Sequence, residues 1–208
     1  MKQQVISVVG AGGKTTLIHR LQAQFAAEGK RVLILTTTHM WKEPGMLLYR
    51  TGDDACAFLR RAKEQLSEDG FCMAGAQAAH PDKCTILPEG LLTQIRKTAD
   101  VVLIEADGSR QRPLKVPNET EPVIPADTTQ VLVVMGKEGI GRRAGEVIHR
   151  LELAKEYLHL EEDTPVTIEH VRALFALYQN RLQKQSPGIP VRCFLAETKE
   201  GTRRYEEV

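Results

Sequence analysis

The sequence predicts an α/β protein whose core is a doubly wound, mostly parallel β-sheet, with a helical C-terminal segment. Two observations support this fold class. Short, almost wholly apolar runs such as VVLIEA and QVLVVM recur along the chain and are typical of strands buried on both faces. Segments with helical periodicity lie between these runs. Strands that alternate with helices in this way form sheets that bind ligands beyond the carboxyl ends of their strands.

The first 37 residues predict a β-α-β unit. Residues 4–9, QVISVV, indicate a buried strand, and Lys14–Ala27 indicate a helix with apolar side chains on one face. Gly29 ends this helix, and residues 31–37, RVLILTT, indicate the second strand. We expect the two strands to be parallel and their crossover to be right-handed.

The middle of the chain is less regular but keeps the alternation of strands and helices. The pattern predicts a helix over 53–66, a strand over 71–76 and a helix over 88–98 with proline in its first turn. Two further buried strands are predicted over 101–106 and 130–135. All of these strands belong to the same predicted sheet.

Beyond residue 143 the pattern becomes helical. Helices are predicted over 147–158 and 168–177, with Thr167 as the N-cap of the second. A last strand is predicted over 191–195, and Val208 is expected in the first turn of a further helix.

Length and composition indicate one globular domain. The chain of 208 residues fits a single P-loop-like α/β domain over 1–208, in which about 143–185 form a helical appendage. Hydrophobic residues make up 42% and charged residues 26%, values that exclude a largely disordered chain. A net charge of +1 and an aromatic content of 5% argue against a nucleic-acid partner.

The sequence indicates neither export nor a membrane. It passes directly into a strand pattern without the features of a signal peptide, and no apolar run approaches the ~20 residues that a spanning helix needs. We therefore expect a cytoplasmic protein with no membrane partner. Cys72, His80 and Cys84 are close enough in sequence to allow a metal site, but scattered reduced thiols are the favoured interpretation because no C-x-x-C pair is present.

The stretch VVGAGGKTTLIHRL resembles a phosphate-binding loop shortened by two residues. The full pattern G-x-x-x-x-G-K-[ST] has a glycine six positions before the lysine, whereas the first glycine here, Gly10, is four positions before Lys14. Glycines between a strand and a helix let backbone N–H groups point at an anion. Lys14 can reach phosphate oxygens, Thr15 can ligate Mg²⁺ and Thr16 can add a hydroxyl. An ordinary glycine-rich turn is the alternative, but the order of strand, glycines, Lys-Thr-Thr and helix favours phosphate binding.

A carboxylate at the end of a neighbouring strand is the second requirement of such a site, because it holds Mg²⁺ or its water shell. VVLIEADGSR provides Glu105 and Asp107, which would point to the same side of a continuous strand. We predict that Asp107 is a metal ligand together with Thr15, with a plain Asp-Gly turn as the alternative. Arg110 and Lys115 follow and can stabilise transferred charge, although an exposed basic loop is equally consistent.

Polar residues also follow the second predicted strand at the same edge of the sheet. Threonine suits any strand, so within TTTH we assign contacts with substrate or metal-bound water to Thr38 and His39. His149 and Arg150, near the start of a predicted helix, are interpreted as a solvent-facing pair, with a pair that folds back over the site as the alternative.

Together, VVGAGGKTTLIHRL, TTTHM and IEADGSRQRPLKVPNETEPVIP resemble the YqeC family, accessory proteins of selenium-dependent molybdenum hydroxylases. The resemblance covers about residues 4–160, and its most specific part is 105–125. A short glycine loop is usual in that family. The resemblance implies a P-loop NTPase-like fold and a role in selenium cofactor biosynthesis, namely making or inserting the labile selenium-containing molybdenum cofactor. The implied partners are the molybdenum hydroxylase, its molybdopterin cofactor or a selenium-transfer protein.

The predicted ligand is a nucleoside triphosphate with Mg²⁺. The predicted catalytic residues are Lys14, Glu105, Asp107 and Arg110, and the predicted metal ligands are Thr15 and Asp107. The predicted ligand-binding residues are Gly10, Ala11, Gly12, Gly13, Lys14, Thr15, Thr16, Thr38, His39, Gly108, Ser109 and Lys115.

Three functions remain open at this point. The first is a Mg²⁺-dependent nucleotide hydrolase, a P-loop NTPase in which Lys14 neutralises phosphate oxygens and Glu105 or Asp107 positions the nucleophile. The second is a non-catalytic carrier of a phosphorylated or nucleotide-bearing cofactor, and the third is a small-molecule kinase. The base is not identified: AETK stands where guanine-reading proteins carry N-K-x-D, which argues against guanine selectivity by that route and makes ATP, CTP and a pterin nucleotide as plausible as GTP.

Overall fold

The computed structural model describes residues 3–208, which form a central β-sheet, a separate two-stranded pair and six α-helices. The strands are β1 Gln4–Gly10, β2 Val32–Thr36, β3 Met40–Trp41, β4 Leu47–Tyr49, β5 Phe71–Gln77, β6 Lys83–Thr85, β7 Val101–Glu105, β8 Leu114–Lys115, β9 Gln130–Gly136, β10 Ile148–His149, β11 Val191–Lys199 and β12 Thr202–Glu207. The helices are α1 Lys14–Ala27, α2 Ala55–Glu68, α3 Glu89–Arg96, α4 Ala144–Val147, α5 Leu151–Leu158 and α6 Ile168–Gln185.

The centre of the sheet is parallel, with strands in the order β5-β2-β7-β1-β9-β11. β1 lies between β7 and β9, so that Val8 pairs with Glu105 and Gly10 pairs with Val134. Antiparallel strands β12 and β6 flank this centre, and β3 continues from β6. The predicted mixed α/β fold with a mostly parallel sheet is therefore confirmed. This order brings the carboxyl ends of β1, β2, β7 and β9 together.

Helices cover both faces of the sheet, but unequally. On one face, Leu17 and Ile18 of α1 pack against the strand side chains that point toward this helix. The other face carries α2, α3, α5 and α6, represented by Phe58, Ile95 and Phe175 in a single buried cluster. The helical segment after residue 143 therefore packs into the main core.

Local signals placed several helices correctly. The helix α1 has the predicted bounds, and Gly29, with a φ of 75°, follows its last turn. Thr167 caps α6 in a capping box with His170, as the sequence predicted for its start. α6 continues eight residues past the predicted end, to Gln185.

One predicted helix near the C-terminus is correct only in part, because α5 covers Leu151–Leu158, and another is wrong. The helix predicted over 147–158 is interrupted, because Ile148–His149 pairs with Leu114–Lys115 as a strand and Arg150 adopts a left-handed φ of 68°. The helix expected at Val208 is instead preceded by β12, an edge strand that pairs antiparallel with β11. The alternating pattern of TRRYEE suits a strand with one face toward the protein.

Candidate functional site

A cleft of about 1060 Å³ opens at the carboxyl edge of the sheet. Its floor is the loop between β1 and α1, and its walls are segments that follow β2 and β7, the start of α5 and one side chain of β12. Gly10, Ala11, Asp107 and Lys115 are buried beneath this surface. The predicted site residues that line the cleft are Gly12, Gly13, Lys14, Thr15, Thr16, Thr38, His39, Glu105, Gly108, Ser109 and Arg110.

The glycine loop presents a set of unpaired backbone donors to the cleft. Ala11 donates to the carbonyl of Val134 over 2.7 Å, which anchors the start of the loop to β9. Leu17 is the first residue of α1 whose N–H finds an acceptor within the helix, the carbonyl of Gly13 at 3.0 Å. Within residues 3–208 no acceptor is found for the five N–H groups from Gly12 to Thr16. Unpaired N–H groups at a helix start are suited to binding an anion.

Gly12 is required by both its conformation and its surroundings. Its φ is 67°, and a β-carbon here would lie 2.7 Å from the Cα of Gly136 and 2.7 Å from the carbonyl oxygen of Pro113. We expect Gly12→Ala to weaken phosphate binding and to lower the free energy of unfolding by clearly more than Gly29→Ala. Gly29 has a similar φ of 75° with nothing within 4 Å, so its substitution isolates the backbone strain of about 1–2 kcal/mol. Urea unfolding of both variants is the measurement, and equal losses would show that the close backbone contact at Gly12 is unimportant.

Lys14 is folded against its own loop and is almost fully buried, with 5% of its side chain exposed. Its Nζ donates to the carbonyl of Gly10 over 2.9 Å and lies 3.5 Å from Asp107 Oδ1 and 3.9 Å from Glu105 Oε1. Burial raises the pKa of Glu105, against the opposing effects of Lys14 and the Thr15 hydroxyl. The loop therefore holds one cation between two carboxylates at the cleft floor.

The carboxylate that contacts Thr15 is Glu105, not Asp107. Thr15 Oγ1 donates to Glu105 Oε2 over 3.1 Å, and both residues line the cleft. Asp107 is fully buried, and its two oxygens accept hydrogen bonds from the N–H of Gly10 at 3.0 Å and from the hydroxyl of Tyr178 at 2.8 Å. A direct metal role for Asp107 remains a prediction, and the geometry favours Glu105 for it.

Lys115 belongs to a buried ion network beneath the cleft. Its Nζ donates to the carbonyl of Gly108 at 2.6 Å and lies 3.1 Å from Asp107 Oδ2 and 2.7 Å from Glu121 Oε2. Arg150 contacts the same Glu121 oxygen at 2.6 Å. Burial would raise the pKa of Glu121, but hydrogen bonds from Arg150 and Lys115 outweigh it and hold that pKa below its ordinary value. Through the contacts of Lys115 with Asp107 and Gly108, this network holds the segment after β7 in place from its buried side.

The segment after β2 contributes an unpaired hydroxyl. Thr36 Oγ1 donates to the carbonyl of Glu105 at 3.0 Å and accepts from the N–H of Thr38 at 3.1 Å, which ties this segment to β7. Thr38 Oγ1 is buried and has no hydrogen-bond partner among the described residues. His39 is exposed at the cleft wall. An unpaired buried hydroxyl is costly, so a ligand that bonded Thr38 would remove that cost.

His149 and Arg150 are not the solvent-facing pair that the sequence indicated. His149 is partly buried in the cleft wall, and Arg150 is held by Glu121 and by the carbonyl of Val116 at 3.1 Å. Desolvation, followed by the nearby charges of Arg150 and Lys115, lowers the pKa of His149 to about 4. The imidazole in the cleft is therefore neutral at physiological pH.

The lowered pKa of His149 predicts a loss of stability in mild acid. Because the unfolded chain binds this proton more tightly, with a pKa of 6.5, the folded state loses stability as the pH falls from 6.5 toward about 4. We expect His149→Asn to flatten this part of the pH profile of the thermal unfolding midpoint. His159→Asn, at an exposed left-handed position, should leave the profile as in the wild type. If the unfolding midpoint of His149→Asn depends on pH as steeply as that of the wild type, the lowered pKa of His149 is wrong.

Several residues that contact the glycine loop or Asp107 were not predicted from the sequence. Tyr178 of α6 and Arg203 of β12 lie 71 and 191 positions from their partners Asp107 and Gly12, so no local pattern connects them. The alternation in TRRYEE could have placed Arg203 and Tyr205 on one face of a strand, but not against the glycine loop.

The cysteines do not form a common site. Cys72 and Cys84 are buried, and desolvation raises their thiol pKa values to about 12 and about 11. In the part of the chain that the structure describes, no group of three or more His, Cys, Asp or Glu side chains is arranged to hold a metal ion. The same residues include no helix with the length and apolar character needed to cross a membrane.

Comparison with known proteins identifies relatives of this chain. The sequence profile of the family described as YqeC protein matches residues 6–152, which include the glycine loop and the segment after β7. A curated relative from Escherichia coli (strain K12), described as "Uncharacterized protein YqeC", is 36% identical over 183 residues. This match covers 82% of the present chain and 66% of the relative, so the chain spans just under two thirds of that protein's length.

Proposed function

The chain belongs to the YqeC protein family, and from this membership and the cleft geometry we propose that it is a Mg²⁺-dependent protein that binds and hydrolyses a nucleoside triphosphate. We further propose that this activity serves the maturation or insertion of the selenium-containing molybdenum cofactor of hydroxylases. The observation that carries the nucleotide proposal is the run of five unpaired N–H groups from Gly12 to Thr16. The cofactor role rests on the motif resemblance alone.

Phosphate binding is supported by three features that converge on one point. The unpaired N–H groups supply donors, the start of α1 supplies partial positive charge, and Lys14 supplies a full charge from a nearly dry position. A phosphate at the loop would compete with Glu105 and Asp107 for the ammonium group of Lys14. Charge-assisted hydrogen bonds of this kind are about twice as strong as neutral ones.

Thr15 and Glu105 are the residues that would hold Mg²⁺. A hydroxyl and one carboxylate fit this ion, because Mg²⁺ in nucleotide sites is usually held by one or two carboxylates plus substrate phosphates. When bound, Mg²⁺ neutralises charge on the phosphate oxygens. With no larger acidic cluster in the described residues, metal binding should depend on the nucleotide.

Glu105 is also the residue best placed to orient an attacking water. It is 8% exposed and lines the cleft, whereas both oxygens of Asp107 are occupied by Gly10, Tyr178 and Lys115. The raised pKa of Glu105 brings it nearer to the range of a useful proton acceptor. Arg110, exposed at the cleft in the segment that follows β7, is available to the transferred phosphate.

Two observations favour the alternative functions, a cofactor carrier and a small-molecule kinase. Since Asp107 is fully engaged, Glu105 would have to serve both metal and water, which favours a non-catalytic carrier of a phosphorylated or nucleotide-bearing cofactor. The cleft volume of about 1060 Å³ slightly exceeds the range of about 300–1,000 Å³ for ligand pockets, which leaves room for an acceptor and favours a small-molecule kinase.

Calorimetric titration of the protein with ATP, GTP, CTP and ADP in the presence of Mg²⁺, followed by phosphate-release assays, tests the proposal. We expect saturable triphosphate binding, with phosphate released to water above background. Binding without release would replace the hydrolase with the carrier, and transfer to an added acceptor would replace it with the kinase. If none of the four nucleotides binds, the proposed nucleotide function is wrong.

A further inference from the structure

The C-terminal hairpin of β11 and β12 contacts the glycine loop through two side chains. Arg203 and Tyr205 are two positions apart on β12 and therefore share one face of the strand. Arg203 Nη2 donates to the carbonyl of Gly12, and Tyr205 Oη donates to the carbonyl of Gly13 over 2.8 Å. Each of the two glycine carbonyls thus has a donor on the hairpin, and for Gly13 this donor is additional to the N–H of Leu17 at 3.0 Å.

Holding a carbonyl also fixes the N–H of the next residue. A trans peptide unit is planar, and its C=O and N–H point in opposite directions. A carbonyl of Gly12 held toward Arg203 turns the N–H of Gly13 away from the hairpin, and a carbonyl of Gly13 held toward Tyr205 does the same for the N–H of Lys14. These are two of the five unpaired donors at the cleft. Glycine cannot fix these orientations by itself, because it has no side chain to restrict its backbone.

The guanidinium group of Arg203 is held by contacts beyond the one with Gly12. Its Nη1 donates to Thr198 Oγ1 at 3.0 Å, and its Nη2 lies 2.8 Å from Glu138 Oε1. Its Nε is buried without an acceptor in the described part of the chain, 3.0 Å from where a β-carbon on Gly13 would stand. The guanidinium thus packs directly over the loop, with Glu138 as its counter-ion.

We propose that Arg203 and Tyr205 are positioning residues that orient the peptide groups of Gly13 and Lys14 for phosphate. The inference rests on the proposed phosphate role of the loop. Both residues lie beyond 6–152, the region that the family profile matches. A bound phosphate would also compete with Glu138 for Arg203, which would bring the positive charge of the hairpin closer to the ligand.

Residual dipolar couplings of backbone N–H groups test the orientation in the unliganded protein. We expect Arg203→Met to change the coupling of Gly13, and Tyr205→Phe, which removes only a hydroxyl, to change that of Lys14. Arg204→Met is the matched control, because Arg204 is exposed on the opposite face of β12. Couplings of Gly13 and Lys14 that stay as in the Arg204→Met protein would overturn the positioning role.

Calorimetry with Mg²⁺ and ATP measures the consequence for binding. We expect Arg203→Met to weaken binding about tenfold and Tyr205→Phe to weaken it several-fold, since one hydrogen bond contributes about 0.5–1.5 kcal/mol. Arg203→Lys should recover part of the loss because it keeps the charge and one donor. A lower unfolding temperature with wild-type affinity would mean a merely structural role and would overturn the inference. If the wild type binds no nucleotide, the proposed function fails, and the couplings alone decide the positioning role.

Discussion

Replacing Lys14 with methionine is expected to weaken triphosphate binding at least about 100-fold and to abolish phosphate release. The ammonium group donates to the carbonyl of Gly10 from an almost fully buried position, where water screens its charge little. Its loss also leaves Glu105 and Asp107 without the charge between them, so that two carboxylates repel the incoming phosphate. Loss of one buried charge-assisted contact costs about 1.5–3 kcal/mol, or about 10- to 150-fold in affinity, and the repulsion from the two carboxylates adds to this loss.

Calorimetry and phosphate release, run in parallel on wild type and variant, are the measurements for Lys14. Lys30→Met is the control, because Lys30 lies beyond the far end of α1 and pairs only with Glu28 among the described residues. Because Lys14 also neutralises buried carboxylates, the unfolding midpoint of the variant must be recorded, and binding must be compared below it. Wild-type turnover in a folded Lys14→Met protein would show that Lys14 has no role in nucleotide hydrolysis.

Replacing Lys115 with methionine is expected to lower the free energy of unfolding by about 3–5 kcal/mol, the usual cost of removing one partner of a buried ion pair. Lys115 is fully buried between Asp107 and Glu121 and also bonds the carbonyl of Gly108. Methionine fills a similar volume but leaves both carboxylates near each other without their shared cation. Urea unfolding measures the loss.

The control for Lys115 is Lys155→Met, which removes an exposed partner of Glu161 and should have a far smaller effect. Because Lys115 does not line the cleft, Lys115→Met should lose much less nucleotide affinity than Lys14→Met under conditions where both are folded. A Lys115→Met protein that keeps wild-type stability but loses binding would contradict the supporting role and favour the direct ligand role predicted from the sequence.

The parts of the fold that were predicted are those whose signal lies within a short stretch of sequence. The apolar runs that became β1, β2, β7 and β9 are buried on both faces, and α1 is bounded by glycines. Strands of two or three residues, such as Met40–Trp41 and Ile148–His149, have no periodicity to detect and exist only because a partner strand pairs with them. The left-handed turn at Arg150 directly follows such a pairing, so the helix predicted from residue 147 begins only at Leu151.

The sequence predicted which residues meet at the candidate site, but not the contacts that each of them makes there. Topology alone brings the glycine loop and the end of β7 to the same edge of the sheet. β7 ends at Glu105, so the alternation of a continuous strand does not extend to Asp107, although both carboxylates lie within 4 Å of Lys14 Nζ. Asp107 instead turns inward to Lys115 and Tyr178, contacts that depend on distant parts of the chain.

Amide chemical shifts on titration with Mg²⁺ and inorganic tripolyphosphate test the central claim most directly, because this ligand has three phosphates and no base. If the glycine loop binds phosphate, we expect saturable shifts that are largest at the N–H groups of Gly12, Gly13, Lys14, Thr15 and Thr16. The absence of any saturable shift, or shifts centred elsewhere in the chain, would contradict a phosphate-binding role for this loop.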